Sequence, residues 1–319
     1  MPYDQEKQTA IAAVIQAAQL CEAVRQGLVP AAIEKNDKSP VTIADYGAQA
    51  LICKALAEAF PSDPVVGEED TTDLRQPETA HVLAAVTEQV QRAVPSATDS
   101  DVLGWIDRGN GTVAPRYWTL DPIDGTKGFL RGDQYAIALA LVEDGDIKVG
   151  VLGCPFLSFD GGEIGLLFAA VRGEGTVMMP LAGGNPQPLR VTAADDTDRL
   201  RLVESVESGH GDLSQQAQVA QAVGITAPSI RMDSQAKYAA VAAGQAALYL
   251  RLPSPKTPDY REKIWDHAAG VLVVEEAGGR VTDMHGKPLD FASAARFPNN
   301  PGVVASNGAI HDAVIQALK

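Results

Sequence analysis

A succession of apolar runs joined by very short turns constrains the fold of this chain most. Tyr135–Val142 and Ile147–Leu152 are separated only by Glu143-Asp-Gly-Asp146, and an Asp-Gly pair between two such runs is a β-hairpin signal. The pattern repeats at Ile164–Val171 and Thr176–Met179. Strands joined by short turns pair in antiparallel fashion, and their near-continuous apolar character indicates that helices cover at least one face. The middle of the chain is therefore predicted to form an antiparallel sheet.

Helical patterns precede this sheet. Residues 4–26 carry apolar side chains at helical spacing, and a second helix is predicted to begin after Thr42 and to end before Pro61. Residues 71–115 are polar and rich in turn formers, so they predict only one further helix near residues 79–93.

The pattern changes again after the sheet. From Leu202 to the last helix, short apolar runs alternate with helical segments, which is typical of an α/β layer. A chain of 319 residues is long enough for two domains. The intervening stretch 181–200 is rich in Gly, Pro, Asp and Thr. We therefore predict an α+β domain at 1–197 and an α/β domain at 198–319.

Composition limits the partners. The 26 Lys and Arg residues against 41 Asp and Glu residues give a net charge of −15, which disfavours a broad surface for nucleic acid. No apolar run approaches the roughly 20 residues of a membrane span, so we expect no membrane partner. Cys21, Cys53 and Cys154 are widely spaced, and the N-terminal segment lacks the features of a signal peptide. These features predict a cytoplasmic protein.

The segment from Trp118 to Phe129 carries the strongest chemical signal. An apolar run delivers Asp121, Pro122 turns the chain, and Asp124 is followed by Gly125-Thr126. Two carboxylates beside a glycine-containing turn can hold a hard divalent cation and a phosphate together. Asp, Pro and Gly are also ordinary turn residues, so this segment alone leaves a plain turn as the alternative.

Three other carboxylates have both a functional and an ordinary interpretation. Glu68 follows a short predicted strand and is by itself typical of a solvated loop. Asp45 lies three residues after Thr42, a spacing that also fits a helix capping box. Asp266 opens an almost wholly apolar predicted helix, where an acidic residue also complements the helix dipole.

Taken together, these segments resemble the inositol monophosphatase-like superfamily of lithium-sensitive, Mg-dependent phosphatases. Its two signatures are present at Asp121–Thr126 and at Trp265-Asp266 followed by Gly278-Gly279. Within this superfamily the chain resembles the 3′(2′),5′-bisphosphate nucleotidases. The segments that match are Ser39–Thr42 with Asp45-Tyr46, Lys127–Gly132, Asp233–Tyr238, Tyr249–Pro253 and Lys263–His267.

The resemblance implies a fold and a metal site. The fold is a layered αβαβα sandwich, with an antiparallel sheet in the N-terminal domain, an α/β C-terminal domain and the metals between them. Two or three Mg²⁺ ions are implied as cofactors. Glu68, Asp121 and the carbonyl of Ile123 would hold one ion, and Asp121, Asp124 and Asp266 a second. Converging carboxylates cannot all stay ionised without such cations, which agrees with this assignment.

The resemblance also implies catalytic and substrate-binding residues. Asp45 and Thr126 match the pair that activates water, and the backbone N–H groups of Gly125 and Thr126 would bind the scissile phosphate. The positions that match nucleotide-binding residues are His210, Ser234, Lys237 and Arg251. The segment around His210 departs most from the family pattern.

The implied activity is hydrolysis of the 3′-phosphate of adenosine 3′,5′-bisphosphate to AMP and phosphate by metal-activated water. The sulphated analogue, 3′-phosphoadenylyl sulphate, is a second expected substrate, and lithium is an expected inhibitor. The partner would be this small nucleotide, and we expect a monomer. One alternative is an inositol polyphosphate 1-phosphatase with the same metal site. The other is a non-catalytic nucleotide sensor, which the full set of carboxylates disfavours.

Overall fold

The structure is a computed structural model that describes residues 2–27, 32–34, 40–206, 213–254, 257 and 259–319. None of the helices in these ranges has the length and apolar character that a bilayer crossing demands.

Both predicted N-terminal helices are confirmed. Helix α1 spans Asp4–Gln26 and α2 spans Ile43–Ala59. A two-stranded antiparallel ribbon, β1 (Ala32–Glu34) and β2 (Pro40–Thr42), lies between them in the chain. Small side chains such as Ala17 on α1 are buried, which lets the two helices pack closely.

The first sheet has seven strands in chain order, because each strand pairs with the next. They are β3 (Val65–Gly67), β4 (Arg116–Asp124), β5 (Ala136–Glu143), β6 (Asp146–Cys154), β7 (Leu166–Val171), β8 (Gly175–Pro180) and β9 (Gln187–Pro188). The β3/β4 pair is parallel and the others are antiparallel. Both predicted hairpins are confirmed, but β7 begins two residues later than predicted. Ile164 is 69% exposed, since Gly165 at φ +92° redirects the chain before the strand.

Residues 71–115 contain more helix than predicted. Helix α3 (Ala80–Gln91) matches the prediction, whereas α4 (Asp99–Asp107) was not predicted. A capping box between Thr98 and Asp101 starts α4, so a local signal was present in the sequence. The short helix α5 (Thr126–Arg131), which follows β4 directly, was also not predicted.

The second sheet has five strands in the order β11-β10-β12-β14-β13. They are β10 (Leu202–Glu204), β11 (Ile230–Arg231), β12 (Leu248–Arg251), β13 (Arg280–Thr282) and β14 (Val303–Ser306). The helices of this region are α6 (Leu213–Ala222), α7 (Ala236–Ala242), α8 (Ala268–Glu276) and α9 (His311–Ala317). Strand β10 pairs in parallel with β11 and β12, while β14 pairs antiparallel with β12 and β13.

Alternating side chains on the strands produce a layered core. Ile137 and Leu139 pack with α1 and α2, whereas the intervening Ala138 lies in a second cluster with α7 and α8. That second cluster also contains one face of the five-stranded sheet, and its other face packs against α6 and α9. The predicted αβαβα fold class is thereby confirmed. The domain boundary near residue 197 stays a prediction; it falls between the last strand of the first sheet and β10.

Candidate active site

The end of β4 presents two carboxylates. The pairing of β4 with β5 is interrupted between Asp121 and Asp124, and bulges of this kind redirect side chains near active sites. The carboxylate of Asp121 accepts a hydrogen bond from the Ile123 N–H at 3.1 Å. Gly125 then adopts φ +88°, and a Cβ there would lie 3.0 Å from the Cβ of Ser234. Glycine is therefore required where the chain turns into α5.

Glu68 reaches the same edge of the sheet from β3. Because β3 and β4 run parallel with Gly67 beside Leu120, Glu68 lies next to Asp121, and the Glu68 N–H donates to the Leu120 carbonyl at 3.1 Å. The Glu68 carboxyl lies close enough to Asp121 to raise the pKa of that residue. The Nζ of Lys263 lies 3.5 Å from its Oε1 atom.

Asp266 comes from a distant part of the chain. It ends a 3-10 turn, Ile264–Asp266, and α8 begins at Ala268, two residues later than expected. Gln235 fixes this turn: its Nε2 donates to the Trp265 carbonyl at 2.9 Å, and its Oε1 accepts from the Gly270 N–H at 3.2 Å.

The ionised forms of three carboxylates, Asp121, Asp124 and Asp266, are destabilised in this pocket. Burial raises the pKa of Asp121, and the charges of Glu68, Asp124 and Asp266 raise it further. Burial and the neighbouring carboxylates also raise the pKa of Asp266. Burial raises the pKa of Asp124 although the Lys237 ammonium and the Gln235 N–H oppose the shift. A buried set of oxygen donors that repel one another fits hard divalent cations such as Mg²⁺.

Asp45 caps α2, as its spacing from Thr42 suggested, and it also lies beside Thr126. Its Oδ2 accepts hydrogen bonds from the N–H and Oγ1 of Thr42 at 2.8 and 2.6 Å, which forms the capping box of α2. Its Oδ1 lies 3.3 Å from the Thr126 Oγ1, which is also 3.2 Å from the Ile123 carbonyl. The helix cap thus holds Asp45 beside Thr126.

The positively charged side chains of Lys237 and Arg251 also line this pocket and form what we call its cationic side. Ser234 adopts φ +65° before α7, and the Lys237 side chain extends from the first turn of that helix. Lys237 is 3% exposed, and burial lowers its pKa to about 8, with the nearby Arg251 charge contributing. Arg251, at the end of β12, forms an ion pair with Glu262 at 2.9 Å.

The pocket has a cavity volume of about 350 Å³. Ten of the eleven predicted site residues with described positions line it. These ten are Glu68, Asp121, Ile123, Asp124, Gly125, Thr126, Ser234, Lys237, Arg251 and Asp266. Asp45 is fully buried behind Thr126. The twelfth, His210, lies outside the described residues.

Sequence reasoning missed several residues of the pocket. Gln235, Glu262, Lys263 and His267 also line it. Gln235 joins the two sides, since its backbone N–H donates to Asp124 at 2.6 Å while its side chain holds the turn of Asp266. Three of the four lie inside the quoted motifs, but only the folded contacts distinguish them from their neighbours.

The fold and site define a protein class. The sequence model of the inositol monophosphatase family matches residues 3–319, and the chain belongs to this family. Among solved structures, inositol monophosphatases from Thermotoga maritima and from Anabaena superpose with TM-scores of 0.66 and 0.65. The Thermotoga protein is 23% identical, and the alignment covers 97% of this chain and 94% of that one. The Anabaena protein is 20% identical, and the alignment covers 100% of this chain and 96% of that one. At such identities the likeness supports the fold alone.

Closer relatives exist among curated proteins. The chain is 46% identical to a protein of Schizosaccharomyces pombe, over 99% of this chain and 96% of the relative. It is 43% identical to a protein of Emericella nidulans, over 100% of this chain and 99% of the relative. Both are named 3′(2′),5′-bisphosphate nucleotidase. The predicted resemblance is therefore confirmed, as is the prediction of an enzyme of the hydrolase class.

Proposed function

We propose that the chain hydrolyses the 3′-phosphate of adenosine 3′,5′-bisphosphate to give AMP and phosphate. One observation carries this proposal: a single pocket joins a buried carboxylate cluster to the cationic side chains of Lys237 and Arg251. A substrate with two phosphates matches this division, since one phosphate would lie at the carboxylate side and the other beside the cations. The names of the relatives support the same substrate.

The carboxylate side is proposed to hold Mg²⁺. The ligands would be the side chains of Glu68, Asp121, Asp124 and Asp266 and the carbonyl of Ile123, all of which line the pocket. When bound, divalent cations lower the pKa of a water molecule and stabilise a departing alkoxide.

The chain itself would orient the attacking water through Thr126 and Asp45. The Thr126 hydroxyl can donate to Asp45 Oδ1, which leaves its lone pairs to accept a hydrogen bond from water. Thr42 engages Oδ2 of Asp45 while Oδ1 faces Thr126, and we propose that Oδ1 takes the proton. This pair is therefore proposed as the general base of the reaction.

Lys237 and Arg251 are proposed to bind the 5′-phosphate, which is not cleaved. Charge-assisted hydrogen bonds from these side chains to phosphate are stronger than neutral ones. Ser234 lies beside them in the pocket wall, and the Gly125 and Thr126 N–H groups are proposed to bind the scissile phosphate. We extend the proposal to 3′-phosphoadenylyl sulphate, which keeps a phosphate at the 5′ position.

Release of inorganic phosphate tests the proposal. Purified protein is incubated with adenosine 3′,5′-bisphosphate, with and without Mg²⁺, and the nucleotide product is identified. We expect AMP and phosphate only when Mg²⁺ is present. Inositol 1,4-bisphosphate serves as the comparison substrate. Equal or better cleavage of the inositol compound would overturn the choice of substrate, and binding of the nucleotide without phosphate release would instead indicate a sensor.

We also propose a cytoplasmic, monomeric protein. Cys21, Cys53 and Cys154 are buried free thiols, which fits a reducing compartment. Size-exclusion chromatography with light scattering tests the monomer.

A further inference from the structure

A buried carboxylate lies on the cationic side of the pocket, where it is unexpected in a site for phosphate. Glu262 is 6% exposed and lines the pocket beside Arg251. An acidic side chain there repels an anionic substrate unless its charge is compensated. Its contacts therefore need a functional explanation.

Glu262 binds one specific edge of the Arg251 guanidinium. The Nε of Arg251 donates to Oε1 of Glu262 at 2.9 Å. Within the described part of the chain, the two terminal nitrogens of Arg251 have no hydrogen-bond partner. Since Arg251 lines the pocket, these nitrogens remain available for a phosphate that enters it.

The second oxygen of Glu262 faces the protein interior. Its Oε2 lies 3.6 Å from Nε2 of His267, and neither atom has a hydrogen-bond partner among the described residues. His267 is held in turn by Tyr238, whose hydroxyl lies 2.7 Å from Nδ1. The rings of Tyr238 and Phe297 pack against His267, so the ring that faces Oε2 of Glu262 is itself held in place.

We propose that Glu262 is a positioning residue for substrate selection: it holds Nε of Arg251 so that the terminal nitrogens are presented to the phosphate that is not cleaved. This inference rests on the proposed function, because it assigns the 5′-phosphate to Arg251. Glu262 touches Arg251 and not the reacting atoms, so it acts on substrate binding.

A metal-ligand role for Glu262 is the alternative. Ligand atoms of Glu262, Asp266 and His267 lie within 4.8 Å of one another, a grouping that can hold an ion. However, Oε1 of Glu262 already accepts from Arg251, so a divalent cation bound there would lie beside a guanidinium. The ion pair with Arg251 favours the positioning role.

The test compares adenosine 3′,5′-bisphosphate with adenosine 3′-monophosphate, which lacks the second phosphate. The quantity measured is the ratio of kcat/KM for the two substrates in the wild type, Glu262→Ala, Glu262→Gln, Arg251→Ala and the Glu262→Ala/Arg251→Ala double variant. We expect Glu262→Ala to lower this ratio about tenfold, mainly through KM for the bisphosphate, as for loss of a charge-assisted contact. Glu262→Gln keeps an acceptor for Nε and should recover part of the ratio.

The double variant separates positioning from other effects. If Glu262 acts through Arg251, Glu262→Ala should not lower the ratio further once Arg251 is alanine. An unchanged ratio in Glu262→Ala, or an equal drop with and without Arg251, overturns the inference. A tenfold rise in the Mg²⁺ concentration needed by Glu262→Gln also overturns it, because that result assigns Glu262 to a metal.

These outcomes are distinct from failure of the proposed function. Absence of phosphate release from the bisphosphate by the wild type would end both proposals. Wild-type hydrolysis with a preference for the bisphosphate that Glu262→Ala leaves intact would end only the inference. Turnover of adenosine 3′-monophosphate by each variant shows that the variant is folded.

Discussion

The two sides of the pocket bury charge in opposite ways. On the carboxylate side, burial and like charges raise the pKa values of Asp121 and Asp266. On the cationic side, burial likewise acts to raise the pKa of Glu262, but the nearby His267 and the charge of Arg251 hold it at about 2. The buried carboxylates of the first side therefore need cations from solution, whereas on the second side Glu262 already forms an ion pair with Arg251. This contrast fits the proposed roles, which are metal binding on the first side and phosphate binding on the second.

The largest expected effect concerns the carboxylate side. Asp121→Asn should lower kcat by more than about a hundredfold, since even outer-shell partners of a metal cost 10- to 100-fold. The same change should raise the melting temperature measured without Mg²⁺, because it removes one member of a repelling set. Steady-state kinetics and thermal unfolding with and without Mg²⁺ measure both effects. Near-normal turnover would remove Asp121 from the metal site.

A smaller and more substrate-selective loss of activity is expected from a change on the cationic side of the pocket. Lys237→Ala should lower kcat/KM for adenosine 3′,5′-bisphosphate by about ten- to a hundredfold, the range for a lost hydrogen bond to a charged group. The loss on a simple sugar phosphate should be much smaller, because that compound has no second phosphate. Competition kinetics with both substrates measure the difference. Equal losses would mean that Lys237 does not recognise the nucleotide.

This contrast also explains how much could be predicted from the sequence. The carboxylates of Asp121 and Asp124 lie in one local motif, and the parallel β3/β4 pair brings Glu68 beside them. The proposed role of Glu262 depends on its contact with Arg251 at the end of β12, so its neighbours along the chain do not indicate it. Similarly, Gln235 looks like any polar residue before a helix until its contacts with Asp124 and Trp265 are seen.

The two sides meet where α8 packs on α7, and Gly270 permits this contact. A Cβ at Gly270 would lie 2.4 Å from the ring of Tyr238, which is buried. Gly270→Ala should therefore destabilise the protein by about 1–3 kcal/mol, as overpacking does. Gly104 in α4 is the matched control, since no atom lies within 4 Å of an added Cβ there. Gly104→Ala should stabilise by about 0.5–1 kcal/mol in urea unfolding. Equal behaviour of the two variants would contradict the close approach.

The smallest expected effect comes from a buried histidine outside both sides of the pocket. His311 lies 2.9 Å from the hydroxyls of Thr282 and Ser306, so it faces hydroxyl groups where His267 faces a carboxylate. Burial, with a contribution from the Arg280 charge, lowers its pKa from 6.5 to about 4. Between pH 4 and pH 6.5 His311 is protonated in the unfolded chain and neutral in the folded chain. The contribution of neutral His311 to the free energy of unfolding is therefore complete above about pH 6.5 and declines as the pH falls toward 4.

His311→Gln tests this sign. The variant should be less stable than the wild type at pH 7, and the difference in the free energy of unfolding should shrink steadily at pH 6 and pH 5. Urea titrations at the three pH values measure it, with His285→Gln at an exposed position as the control for loss of a histidine. A difference that stays constant or grows on acidification would mean that the pKa of His311 is not lowered in the folded protein. Burial without a charged partner would then not suffice to keep a histidine neutral in this core.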